Sequence, residues 1–264
     1  MGALASCASA PVTVPVDEAP AALPAALEPY VQPGNLVVRI TTGELASQFG
    51  CTVAYEVHEP VGWPNARPEA ATGMTGPPPT VVLAHGFMRD LSAMRGWASH
   101  WASHGVRTVV VSFCNSSWLN GRHDRNGMDM IAVTDKVVSD ADAAVIYAGF
   151  SAGGLAALLA ASNDNRATAY LGLDAVDSGD LAAPAVGAIP RSLFLFGEPS
   201  SCNAESNMAP LVPQREDVTA LRIPLATHCD FEDPYDPACE RICGSVEPEE
   251  IARETRRTIQ ALAT

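Results

Sequence analysis

Residues 149–153 of the sequence, Gly-Phe-Ser-Ala-Gly, fit the pattern G-x-S-x-G, and Ser151 at its centre is the first candidate for chemistry. The residues before it, "AAVIYAGF" (143–150), are almost wholly apolar, and those after it, "AGGLAALLAA" (152–161), favour a helix. Ser151 therefore falls at a strand-to-helix junction. A serine in so sharp a turn needs glycines on both sides to keep the neighbouring chain clear, and its Oγ then projects from the carboxyl edge of the sheet. The helix amino terminus behind it offers N–H groups and a positive dipole end to developing negative charge. Pattern and setting together predict a nucleophile rather than a small residue in a glycine-rich turn.

A serine hydroxyl is a poor nucleophile unless a general base, itself held by a carboxylate, takes its proton. In this setting the partners follow in the order serine, acid, histidine along the chain. Five histidines, His58, His85, His100, His104 and His123, precede Ser151; only His228 follows it, in "LATHCDFEDP" after the last expected strand. His228 is the expected base. Three carboxylates compete for the acid: Asp174 at the end of the strand "YLGL", Asp177 further into the loop, and Glu198 after the next strand in "LFGEPSS". A strand-terminal group is held more rigidly than a loop group, which favours Asp174 and leaves Glu198 as the main alternative. Asp230, Glu232 and Asp233 near His228 read as a solvated acidic loop. The oxyanion hole is expected from the backbone N–H groups of Ala152 and of Phe87, in the turn that Gly86 allows after "VVLAH". His85 and the Phe87 ring would shape the pocket.

These groups need a scaffold, and the hydrophobic pattern supplies one. Strands are expected at 35–42, 51–60, 80–86, 107–113, 143–149, 168–173, 192–197 and 220–226, with helices at 91–105, 127–140, 152–162 and 247–262. Continuous apolar strands alternating with amphipathic helices predict an α/β fold, a mostly parallel eight-stranded sheet with helices on both faces. Ser151 would follow the fifth strand. The segment "AVDSGDLAAPAVGAIPR" (175–191) is too short for a helical lid, so an open cleft is expected.

The 264 residues carry a net charge of −14, with 47% hydrophobic and 17% charged residues. That composition suits one globular domain. The acidic balance argues against nucleic acid, whose phosphates need a basic surface, and favours an uncharged substrate. No apolar run reaches the roughly 18 residues that span a bilayer. Of seven cysteines, Cys7 lies in the leader, and Cys51, Cys114, Cys202, Cys229, Cys239 and Cys243 make an even set. Disulfides are the expected use in an export compartment, though six cysteines allow 15 pairings. Free buried thiols, or a metal held by His228, Cys229, Cys239 and Cys243, are the alternatives. Residues 10–34 contain six prolines and much alanine, so 1–34 reads as an extension and 35–264 as a single catalytic domain. "LASC" (4–7) looks like a lipoprotein cleavage box without its apolar region, and "MGALAS" matches a myristoylation pattern; a truncated or engineered start is the plainer reading.

The set "VVLAHGF", "GFSAGG", "GLDAVD" and "THCDFEDP" resembles the α/β-hydrolase superfamily over about residues 36–262. Within it, "GLDAVD" followed by "HCDFEDP" is similar to chlorophyllase-like esterases. An acid at the end of the strand after the nucleophile is similar to platelet-activating-factor acetylhydrolases. "HGFMRDLSAMRGWASHWASHGV" is similar to bacterial cutinase-like polyester hydrolases, which keep their acid one strand later. The resemblance implies an α/β-hydrolase fold and a serine carboxylic-ester hydrolase with the triad Ser151, His228 and Asp174. It would work as a monomer, without cofactor or metal, on a small-molecule, lipid or polymeric ester. Secretion, a periplasmic location or a lipid anchor at a bacterial cell envelope would follow. A thioesterase, lactonase or amidase would use the same triad, and a non-catalytic binding protein on this scaffold is the remaining alternative.

Overall fold

A computed structural model describes residues 16–20, 22–65, 79–117, 120–139, 143–243 and 247–264. Nine strands form one sheet: β1 (Asp17–Glu18), β2 (Val38–Ala46), β3 (Thr52–Pro60), β4 (Thr80–Ala84), β5 (Arg107–Ser112), β6 (Val145–Phe150), β7 (Ala167–Leu173), β8 (Arg191–Phe196) and β9 (Val218–Arg222). Their order across the sheet is β1-β9-β8-β7-β6-β4-β5-β3-β2. Only β3 runs against its neighbours, pairing antiparallel with both β2 and β5; every other pair is parallel. Parallel neighbours require crossover connections, and the helices that supply them cover the sheet.

The alternation of side chains along each strand divides the core in two. Val82, Ala84, Val109, Val111, Tyr147 and Phe194 face one side. There they pack on α2 (His123–Val137) through Met130 and Val133, and on α3 (Ala152–Asn163) through Leu155 and Leu158. Val81, Leu83, Val110, Ala148, Leu173 and Leu195 face the other. They meet Trp97 and Trp101 of α1 (Arg95–Ser103) and Ile259 of α6 (Glu249–Ala263). Among the described residues there are two shorter helices, α4 (Ala182–Ala185) and α5 (Pro237–Cys243). Among the described residues no helix is long and apolar enough to cross a membrane.

Several expectations need correction. The sheet has nine strands, not eight, and Ser151 follows the sixth of them in the chain. The extra strand, Asp17–Glu18, comes from the proline-rich segment expected to stay apart from the domain. An edge strand tolerates flanking prolines, since only one side must hydrogen-bond. The segment continues over α1, with the ring Nε2 of His100 at 2.9 Å from Tyr30 O and Gly34 N donating to Ser103 Oγ at 2.7 Å. Residues 16–20 and 22–34 are thus docked on the domain; Cys7 and "LASC" lie outside the described residues, as do residues 66–78. The helix expected at 127–140 begins at His123 and ends at Val137. The helix expected at 91–105 divides into a 3-10 turn, Leu91–Met94, whose cap Asp90 accepts the Ser92 N–H, and α1. Helix α5 was not expected at all, its seven residues being too few to show a period.

The six cysteines form the disulfides Cys51–Cys114, Cys202–Cys243 and Cys229–Cys239. Sulfurs of Cys229, Cys239 and Cys243 do cluster within 4.8 Å, but each belongs to a cystine and so offers no thiolate to a metal.

Candidate active site

Ser151 occupies the turn between β6 and α3 with φ 55° and ψ −127°, a region that L-residues seldom adopt. The turn is held from three sides. Ser151 N donates to Leu173 O at 3.0 Å, and Ser151 O accepts from Gly154 N at 2.9 Å and Val176 N at 3.1 Å. The flanking glycines are sterically required: a Cβ on Gly149 would lie 2.3 Å from Gly153 O, and one on Gly153 would lie 2.2 Å from His85 O. G-x-S-x-G is here the imprint of α3 passing this close to the ends of β4 and β6.

Asp174 directly follows β7, fully buried, with φ 45°. Its N–H donates to Leu195 O at 2.7 Å, which ties it to β8. His228 opens a 3-10 turn, His228–Phe231, fastened by Asp230, whose Oδ2 accepts from both Thr227 N and Thr227 Oγ1 at 2.8 Å. The imidazole stands over Phe150, ring centroids 4.6 Å apart, and joins the other two groups. Nδ1 lies 2.6 Å from Asp174 Oδ2, and Nε2 lies 2.9 Å from Ser151 Oγ. A carboxylate oxygen only accepts, so Nδ1 carries the proton and the bare Nε2 accepts the serine O–H. Ser151 and His228 are each 7% exposed, and Asp174 not at all.

The turn after β4 completes the surroundings. A Cβ on Gly86 would sit 3.1 Å from Ser151 Cβ, so this backbone passes beside the hydroxyl. His85 is buried, and desolvation lowers its pKa to about 4, leaving a neutral ring. Its Nε2 accepts the Phe113 N–H at 3.0 Å, so Nδ1–H donates to Gly86 O at 2.7 Å. In a trans peptide the C=O and N–H point oppositely, so the Phe87 N–H is turned away from His85. Among the described residues neither Phe87 N nor Ala152 N has a hydrogen-bond partner. His85 therefore holds the turn from inside instead of lining a pocket, whereas the Phe87 ring is exposed and meets His123 edge-on.

The other expected carboxylates lie elsewhere. Glu198 is exposed and its Oε1 accepts from Leu225 N at 3.2 Å; Asp177 accepts the Ala182 N–H at 3.0 Å. Asp230 and Glu232 are buried, contrary to the solvated loop expected of them. Ion pairs make that burial tolerable, Asp230 with Arg256 at 3.1 Å and Glu232 with Arg89 at 2.5 Å. The second pair ties the turn after Phe87 to the loop after His228. Burial still pushes the Glu232 carboxyl up, against the pull of Arg89, and one of its oxygens has no partner among the described residues.

Asn203 was not expected and lies fully buried beneath Asp174. Its only mark in the sequence is the neighbouring Cys202. A groove of about 860 Å³ lies away from Ser151. It lies towards the amino ends of the strands, lined by Val81, Ile146, Leu193 and the end of α6. No protein-family model matches this chain, and no curated protein matches it.

Proposed function

We propose that this protein is a serine carboxylic-ester hydrolase built on an α/β-hydrolase fold. The observation that carries the reading is the unbroken run of hydrogen bonds from Ser151 Oγ to His228 Nε2 and from His228 Nδ1 to Asp174 Oδ2, at 2.9 and 2.6 Å. The single antiparallel strand in an otherwise parallel sheet, and a serine at positive φ between strand and helix, support it further.

In this reading Ser151 Oγ attacks the ester carbonyl as His228 Nε2 takes its proton, and buried Asp174 stabilises the imidazolium. The N–H groups of Phe87 and Ala152 receive the negative oxygen of the tetrahedral intermediate. Collapse breaks the carbonyl–alkoxy bond, His228 returns the proton to the departing alcohol, and the acyl-enzyme remains. Water, deprotonated by His228, repeats the attack and releases the acid.

Two features support a bulky or lipidic ester. Between Asp174 and β8 the only helix is the four-residue α4, which supports an unroofed cleft. Phe87, Met88 and Leu225 are exposed apolar side chains on the turn beside Ser151 and the loop before His228. Three disulfides support an oxidising compartment, hence secretion or the periplasm. Turnover of p-nitrophenyl esters tests the reading. Ser151→Ala should remove it, and retention of about a tenth of the rate would sink the assignment, since removing such a nucleophile costs about 10⁶-fold.

A further inference from the structure

We infer that Asn203 is a positioning residue that aims Asp174 at His228, held in place by the Cys202–Cys243 disulfide; the inference rests on the esterase reading above. Asp174 accepts from three groups. Gly197 N donates to Oδ1 at 3.0 Å, His228 Nδ1 donates to Oδ2, and Asn203 Nδ2 reaches Oδ2 at 3.1 Å and Oδ1 at 3.3 Å. Among the described residues Asn203 is thus the one side chain besides His228 that hydrogen-bonds the carboxylate. A carboxylate fixed at both oxygens cannot swing away from the imidazole, and an amide fixes it without adding charge.

The orientation of the amide follows from its partners. Nδ2 also donates to Glu198 O at 2.9 Å, while Oδ1 accepts from Ser200 N at 2.8 Å and Ser206 N at 3.2 Å. Two acceptors on one side and two N–H donors on the other permit only this assignment. Asn203 is therefore the hub of its own turn as well as a donor to Asp174.

That turn is strained. Ala204, Glu205 and Ser206 follow one another at φ 50°, 56° and 55°, left-handed backbone that non-glycine residues avoid. Such a turn persists only if anchored. The anchors are the Asn203 amide oxygen and the disulfide from Cys202 to Cys243 at the end of α5. The same helix carries Cys239, bonded to Cys229 beside His228. One seven-residue helix thus braces both the residue behind the acid and the residue next to the base.

Asn203→Asp separates the two roles. It keeps an acceptor for Ser200 and Ser206 but replaces the neutral amide donor with a second carboxyl beside Asp174, and two buried carboxyls that close share one proton. Charged groups already near His228 are Asp174, Asp230 with Arg256 in the same 3-10 turn and, further off, Glu232 with Arg89. The shared proton redistributes the charge that faces the imidazole, so the acid limb of kcat/KM should shift. Misaim of the acid should lower kcat about 100-fold, with KM within about twofold. The downfield proton resonance of His228 Nδ1–H should shift as well. Unchanged kcat, acid limb and resonance, whatever the Tm, would overturn the inference.

If Asn203→Asp does not fold, Cys202→Ser with Cys243→Ser decides. A kcat about tenfold lower at unchanged KM supports the brace, and an unchanged kcat overturns it. Fluorophosphonate labelling of the unaltered protein keeps the two readings apart. Failure to label Ser151 overturns the esterase assignment and this inference with it. Labelling together with indifferent variants overturns this inference alone.

Discussion

Two Ser–His–carboxylate sets occur among the described residues, and they share their kinds of side chain but little else. At the carboxyl edge of the sheet, Ser151, His228 and Asp174 are linked at 2.9 and 2.6 Å. On the antiparallel side, Ser99 Oγ lies 3.0 Å from His58 Nδ1, and His58 Nε2 lies 3.3 Å from Glu56 Oε2. Ser99 sits within α1, where the backbone is regular and N–H groups are engaged within the helix. Ser151 sits in a strained turn at the start of a helix, whose first N–H groups have no intrahelical partner. The acids differ too. Glu56 is gripped by Arg95 through Nε at 2.8 Å and Nη2 at 2.5 Å, and the guanidinium holds its carboxyl below the usual range. Asp174 meets only neutral donors and the histidine. The second set is a polar brace between β3 and α1. Three residue types in contact recur in both sets; what separates them is the backbone that presents the serine, and the esterase reading proposed above rests on that difference.

Substitutions at matched positions sharpen this contrast. Asp174→Asn should lower kcat about 10⁴-fold by holding the wrong imidazole tautomer. Glu56→Gln should leave kcat within about twofold and instead weaken the fold by about 1 kcal/mol, because Arg95 is half exposed and its pair is partly screened. If Glu56→Gln abolished turnover, the two sets would have been read the wrong way round. Glu198→Gln belongs on the same assay and should be nearly silent, since Glu198 reaches Leu225 N and not His228.

The disulfides give the next effect. Cys202–Cys243 closes 41 residues and Cys51–Cys114 closes 63, separations for which chain entropy gives roughly 4 kcal/mol each. Dithiothreitol should lower Tm by on the order of 10 °C, and a melting curve unmoved by reductant would contradict the cystines. The smallest effect concerns pH. Arg95 depresses the Glu56 carboxyl, so its stabilisation is present above the unfolded value of 4.5 and is lost as pH falls through the lower folded value. Thermal melts between pH 5 and about 3 should therefore show the unaltered protein losing its advantage over Glu56→Gln.

Much of the edge was legible in the sequence because each of its parts has a steric or positional cause. Gly149 and Gly153 are demanded by contacts under 2.5 Å, so the elbow left a pattern of residue types. Asp174 stood out because a strand ended on it, and His228 because no other histidine follows Ser151. The supports were not legible, because their partners are distant in the chain or carry no pattern. Glu232 looked solvated because Arg89, 143 residues away, is what lets it be buried. Asp17 and Glu18 form a strand only because β9 offers an open edge. Asn203 lies in a segment of ordinary loop composition, and its place beside Asp174 goes with the disulfide from neighbouring Cys202 to a helix too short to announce itself.

Fluorophosphonate labelling of the intact protein, with the modified peptide mapped by mass, distinguishes Ser151 from Ser99. A single adduct on Ser151, absent from Ser151→Ala, with Ser99 unmodified, is expected of a serine hydrolase. An adduct on Ser99, or no adduct on a folded protein, would rule that assignment out.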